Sequence, residues 1–278
     1  MELNAYLAER SPPDVPHVHV LSCGLSIKGV SLAGIPESGG WTLKAGFKTD
    51  PGATRLNNED TVYVNEGLGL FVVADGMGGH NAGEVASYQA VEAIVSSIQA
   101  GLDSGRSTAA VVRQAVVDAN REVFRNSLTD PWWNEMGTTV VLALFRGDRV
   151  LVSHVGNSRA YLIKNGTIQQ LTEDHTFVAE WVKEGSITSQ EARTHKARHG
   201  LTMALGVEDE VEPDTDEWPW DGSGYLLLCS DGLTEALEDI EILEIVTRAT
   251  APAEACETLV ERAKARGSRD NISVIIVD

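Results

Sequence analysis

The chain has 278 residues, 42% of them hydrophobic, enough to bury one large core. Its net charge of -19, from 41 Asp and Glu against 22 Lys and Arg, has no basic run to offset it, which excludes nucleic acid and an anionic membrane surface as main partners. Three cysteines (Cys23, Cys229, Cys256) without CxxC spacing indicate neither a disulfide framework nor a zinc site and fit a reducing cytoplasm.

In chain order, residues 1–40 carry PP, SG and GG breakers and weak periodicity, so they read as an N-terminal extension outside the main domain. An added edge strand through HVHVLS and a disordered terminus both remain open for it. From residue 41 to 278 a single domain is expected, because its acidic motifs are spread over both ends of that span. Strand signals are dense: TLKAGFKT, LGLFVVAD, GTTVVLALF, RVLVSHVG, RAYLIKNGTIQQL, GYLLLCSD and NISVIIVD, with Asn165-Gly166 as a hairpin turn. TTVVLALF is strand-sized, and no apolar run approaches the ~20 residues of a membrane helix. Amphipathic helices are expected over 82–100 and 108–127, and a second pair over 239–246 and 252–265, with Pro252 suited to a first helical turn. Helix pairs between runs of strands imply packed sheets with helices outside. A polar, helix-prone insertion at about 175–205 reads as a flap near the site.

Four acidic segments stand at strand tips: RLNNED (55–60), VADGMGGH (73–80), LLCSDGL (227–233) and SRDNIS (268–273). Brought together, their carboxylates could not all stay ionised without divalent cations, and oxygen-only ligands select Mg²⁺ or Mn²⁺ over Zn²⁺. Each motif alone is an ordinary turn. Jointly they suit a two-metal phosphoryl-transfer site, with the Gly76 carbonyl beside Asp75 as a further ligand and Arg55 as the fixed cation for phosphate. Rival chemistries fail on spacing. DGMGGHNAG lacks the Lys of a phosphate loop and has Asn81 where a dinucleotide fingerprint needs glycine. GNSRA ends in Ala160 and leads into a strand, unlike a nucleophile elbow. His195 and His199 have zinc-pair spacing, but Lys196 stands in place of the catalytic Glu, and with Arg193 and Arg198 around them a solvated face is expected.

The ordered set RLNNED, VADGMGGHNAGEVAS, GTTVV, HVGNSRAYL, LTEDHT, LTMALG, LLCSDGL and SRDNISVIIV resembles the metal-dependent protein serine/threonine phosphatases, the PPM or type-2C family, in their bacterial form, over about residues 41–278. The resemblance implies an α+β fold, an antiparallel β-sandwich flanked on both faces by helix pairs. It implies Asp75 bridging two Mn²⁺ or Mg²⁺ ions, Asp231 and Asp270 on the first, Glu59 and the Gly76 carbonyl facing the second, and Asp60 in support. A third, weaker ion would fall on Asp174 with Asp231. Arg55 matches the phosphate-binding arginine. Met77 departs from animal members, which carry a histidine there, and leaves His80 as the candidate general acid. The implied activity is hydrolysis of phosphoserine and phosphothreonine in proteins by a metal-bridging hydroxide, counteracting a Ser/Thr kinase, in a cytoplasmic monomer. Two alternatives stay open: a phosphatase fold used as a weakly active binding module, and a hydrolase of a small phosphoester.

Overall fold

Strand β4 (Leu70–Met77) shows how the sequence sorts itself into layers. Side chains alternate along a strand, so Val72 and Ala74 face one way and Phe71 and Val73 the other, and each set enters a different core. The structure, a computed structural model, describes residues 19–22, 42–78, 82–129 and 131–278.

One sheet runs in the order β1 (His19–Ser22), β3 (Asp60–Asn65), β4, β6 (Val140–Arg146), β7 (Arg149–Val155), β10 (Asp214–Pro219), with the short β5 (Gly137–Thr138) on the end of β4. The other runs β2 (Ala45–Asp50), β12 (Ile272–Val277), β11 (Tyr225–Cys229), β8 (Arg159–Lys164), β9 (Thr167–Gln170). Pairing is antiparallel except at one edge, where β1 lies parallel to β3 with His19 opposite Thr61. That pair lies outside the span of the expected antiparallel sandwich, since β1 belongs to residues 1–40. It also realises the edge strand in HVHVLS, while the rest of residues 1–40 lies outside the described residues.

Three apolar cores separate four layers. Helices α1 (Ala82–Leu102) and α2 (Thr108–Ser127) bury Ile94, Ile98, Val112 and Val116 against Val72 and Leu142 of the first sheet. Phe71, Val141, Leu228 and Ile275 fill the space between the sheets. Beyond the second sheet, Leu227, Val274 and Ile276 meet Ile242 and Leu259 of two later helices, Asp239–Arg248 and Pro252–Ala265. The α2 start is fixed by Ser107, whose hydroxyl accepts the Ala110 N–H at 3.3 Å. No helix among the described residues is long and apolar enough to cross a membrane.

Two strands were absent from the expected set. DTVYVN (β3) is short and opens on a carboxylate, and DTDEWP (β10) is largely exposed and has no apolar alternation. Backbone pairing to β4 and β7 makes them strands. GTTVVLALF divides into β5 and β6 at Thr139.

The helix over Pro252–Ala265 crosses β2 with almost no clearance at Gly46. A Cβ there would stand 2.2 Å from the Ala253 nitrogen and 2.3 Å from the Pro252 carbonyl carbon, both backbone atoms that cannot turn aside. Gly46→Ala should therefore lower stability by about 2 kcal/mol or more, read as a lower urea midpoint with an unchanged slope. A wild-type midpoint would contradict this packing.

Candidate functional site

The β3–β4 register sets Asp60 directly opposite Asp75. From the other sheet, Asp231 follows β11 and Asp270 precedes β12, so both sheets deliver carboxylates to one end of the sandwich. Uncharged donors orient them. Ser230 Oγ donates to Asp60 Oδ2 at 2.9 Å, and Asn157 Nδ2 donates to Asp231 Oδ2 at 2.8 Å. Asn271 ties three segments together: its Oδ1 accepts the Glu59 N–H at 2.8 Å, and its Nδ2 donates to the carbonyls of Pro51 and Asn57, each at 3.0 Å. The backbone N–H of Asp75 donates to Thr139 Oγ1 at 3.1 Å, and that hydroxyl lies 2.7 Å from Ser158 Oγ. Arg55 reaches across to Asp270, Nη2 to Oδ2 at 3.0 Å.

Close backbone approach brings Glu59 into the cluster. The Gly76 N–H donates to the Glu59 carbonyl at 3.1 Å, and Ser87 Oγ from α1 donates to the same oxygen at 2.6 Å. A Cβ on Gly76 would fall 2.0 Å from the Gly83 carbonyl oxygen, and one on Gly83 would fall 2.9 Å from Glu59 Cδ. Only glycine at both positions lets the first turn of α1 sit against the carboxylate.

The cluster carries more negative charge than its surroundings can hold. Burial first, with Asp270 and Glu84 adding repulsion against the pull of Arg55, pushes the Glu59 carboxyl up to about 7. Burial also raises Asp60, and raises Asp75 well above the carboxylate range, where Asp60, Asp231 and Asp270 reinforce it. Asp231 rises for the same reasons, against the Asn157 hydrogen bond. Two buried oxygens, Asp60 Oδ1 and Asp231 Oδ1, have no hydrogen-bond partner. Orphaned acceptors, mutual repulsion and an all-oxygen donor set are the conditions a hard divalent cation relieves. The residues present fit such ions.

The Protein phosphatase 2C family model matches residues 53–267. The chain belongs to the protein phosphatase 2C family. It is 37% identical over 241 residues to the serine/threonine phosphatase stp of Listeria monocytogenes, covering 85% of this chain and 96% of that one. Among solved structures, the serine/threonine phosphatase PstP/Ppp of Mycobacterium tuberculosis superposes with a TM-score of 0.78 at 37% identity, covering 85% of this chain and 98% of that one. A structure of the PstP catalytic domain in complex with two manganese ions gives 0.74 at 37% identity, covering 85% and 97%.

Of the residues singled out in the sequence, Arg55, Glu59, Asp75, Gly76, Asp231 and Asp270 line one cleft, and Asp60 lies opposite Asp75. Asp174 lines the same cleft, but both its oxygens are taken: Arg159 Nε and Nη2 donate to Oδ1 and Oδ2 at 2.7 and 2.6 Å, and Gln170 Nε2 adds a third bond at 3.0 Å. A third cation would have to compete with Arg159 for it. His80 lies outside the described residues. Asn157, Ser158 and Thr139, noticed only as parts of a failed elbow and of a strand, brace Asp231 and Asp75. Nothing but the family motif signalled that use.

The flap is present as two short helices, α3 (Phe177–Lys183) and α4 (Ser189–Thr194), the latter opened by a capping box between Thr188 and Glu191. Its neck closes where Thr176 pairs with Leu201. His195 and His199 do not form a pair: His195 packs edge-on to Trp181, and His199 Nδ1 lies 2.7 Å from Glu235 Oε1. His199 stays exposed, as expected of a solvated face, and in addition ties the flap to the helical turn that begins at Asp231. Glu235, carried up to about 7 by burial and by Asp231, is the partner.

Carboxyls whose folded pKa exceeds the unfolded value stabilise the fold while protonated, and that contribution is lost as pH rises through the folded pKa. The chelator-treated protein should therefore melt at a lower temperature at pH 8 than at pH 5.5, by roughly 5 °C, with a smaller difference in Asp75→Asn. Mn²⁺ or Mg²⁺ should reverse the loss at pH 8, since cations bind the ionised cluster. Thermal melts indifferent to both pH and added ion would contradict this electrostatic account.

Proposed function

We propose that the chain hydrolyses phosphoserine and phosphothreonine in proteins, opposing a serine/threonine kinase in bacterial signalling, with two Mn²⁺ or Mg²⁺ ions at the carboxylate cluster. The observation that carries this reading is the convergence of Asp75, Asp231 and Asp270 from both sheets, with orphaned oxygens and with Arg55 at its edge. The relatives named as serine/threonine phosphatases and the two manganese ions of PstP support it.

In this proposal Asp75, Asp231 and Asp270, with Glu59 and the Gly76 carbonyl, would hold the ions, with Asp60 in support beside them. When bound, the ions supply a nucleophile at neutral pH and offset charge on the phosphoryl oxygens. Everything else is positioning by the protein. Asn157 fixes Asp231 and Ser230 fixes Asp60, so the carboxylates need not reorganise as charge develops. The Arg55 guanidinium is half exposed, its Asp270 contact leaves further N–H groups free to grip a phosphoryl group, and its planar fork suits that task. His80 is our candidate donor of a proton to the serine or threonine oxygen as it leaves. Cys229 and Cys256 are buried free thiols that suit a reducing cytoplasm.

The test is turnover of a phosphothreonine peptide with and without ions. Hydrolysis should need added Mn²⁺ or Mg²⁺ and vanish with chelator, and Asp231→Ala should lose activity by about 10³-fold or more while keeping the wild-type circular dichroism. Full turnover in chelated buffer would overturn the proposal, as would a fully active Asp231→Ala protein.

A further inference from the structure

The cleft above the carboxylate cluster has a volume of about 1530 Å³, far more than one phosphorylated side chain fills, and it extends beneath the flap. Basic side chains line it as fully as acidic ones, although the chain carries 41 acidic and 22 basic residues. Four of those basic groups already hold a carboxylate: Arg55 with Asp270, Arg159 with Asp174, Lys183 with Glu173, and Arg266 with Glu241. The remaining three are Arg193, Arg198 and Arg269.

These three differ from the rest in what they touch. Among the described residues none of them comes within ion-pair distance of a carboxylate, although Arg198 attracts Glu235 from further off. Arg193 Nη2 reaches the Thr234 carbonyl at 3.4 Å and Arg198 Nη1 the His195 carbonyl at 3.5 Å, both at the outer limit of a hydrogen bond. Arg269 contributes its backbone carbonyl to Thr54, and its side chain makes no hydrogen bond among the described residues. Arg193 and Arg198 stand on the flap, while Arg269 stands beside Asp270, so they reach the cleft from separate elements. Lys196, three residues from Arg193, does not line it.

We propose that Arg193, Arg198 and Arg269 form an anion-recognition subsite that selects phosphoproteins bearing a second negative group, an acidic side chain or another phosphate, close to the phosphoester being cleaved. This rests on the phosphatase reading given above. All three are arginines, whose planar fork pairs two-pronged with either group, which a lysine cannot do. Charge bookkeeping points the same way. The acids and bases that line the cleft balance, so two bound divalent cations leave it net positive inside a chain of charge -19. At physiological ionic strength the distant surface acids are screened within ~8 Å, and the local field decides which substrates are favoured. With Arg55 assigned to the scissile phosphoryl group in this reading, the three guanidinium groups without a close carboxylate are left for what flanks it.

The experiment compares three phosphothreonine peptides of one length, with alanine, aspartate or a second phosphothreonine two residues from the cleaved site, beside a small aryl phosphate. The readout is the ratio of kcat/KM for each anionic peptide to that of the alanine peptide, in which any uniform loss cancels. For the wild type the ratio should be about fivefold or more, the size of two partly exposed charge pairs, and should shrink at high salt. Arg193→Gln/Arg198→Gln and Arg269→Gln should each bring the ratio towards one, mainly through KM. Lys196→Gln changes the net charge equally outside the cleft and should leave the ratio at the wild-type value. A larger ratio for the phosphorylated than for the aspartate peptide identifies a second phosphate as the anion, and equal ratios identify a general acidic flank. Turnover of the aryl phosphate with no preference among the peptides overturns the subsite alone. So does a preference that survives in the arginine variants. Failure to hydrolyse any of the four substrates with ions present overturns the phosphatase reading itself, and the subsite with it.

Discussion

Repulsion between carboxylates that the fold refuses to separate is the constraint on which this structure depends. Asp60 and Asp75 are cross-strand neighbours, a placement that costs free energy wherever like charges face each other in a sheet. The sequence surrounds them with Ser230, Asn157, Asn271 and Thr139, groups that orient without neutralising. A carboxylate cluster could instead be quieted by lysine or arginine. Among the described residues the one arginine bonded to it, Arg55, sits at the edge and half in solvent, so most of the interior charge stays uncompensated by protein.

Glycines set how closely the backbones approach that cluster. Gly76 and Gly83 let β4 and α1 touch, and the helix start therefore faces Glu59 directly. The second approach is by the flap, which meets the turn after Asp231 through His199–Glu235 and a long contact from Arg193 to the Thr234 carbonyl. Flap and carboxylate cluster are thus linked through one short stretch, 231–235, in which Glu235 N–H also bonds back to the Asp231 carbonyl at 2.8 Å.

Much of this was legible in the residues. The helix expected over 252–265 matches Pro252–Ala265, and 108–127 matches Thr108–Ser127, because apolar spacing and end signals agreed there. Strands with continuous apolar cores, such as LFVVADGM and ISVIIV, were equally plain. Strand DTDEWP was not, since an exposed edge strand draws its order from main-chain pairing to β7 and leaves no period in its side chains. The convergence of four distant acidic motifs could be argued from their shared place at strand tips. The grip of Arg159 on Asp174 could not, because it joins residues on β8 and after β9 whose side chains meet only once the sheet has formed. The same holds for the contact of His199: its basic neighbours in sequence rightly suggest solvent, but they do not signal its partner 36 residues on, at Glu235.

The four central carboxylates divide evenly between the two sheets, Asp60 and Asp75 on one, Asp231 and Asp270 at the ends of strands in the other. The sheets otherwise meet through apolar side chains such as Phe71, Leu228 and Ile275, a contact that tolerates small sliding far better than a shared coordination sphere does. Ions held between Asp75 of one sheet and Asp231 and Asp270 of the other would work as a clasp across the open end of the sandwich and fix the angle between its halves. Hydrogen exchange would then be uneven along the strands: amides near the acidic tips would open with loss of the ions, while those at the far end would keep their protection.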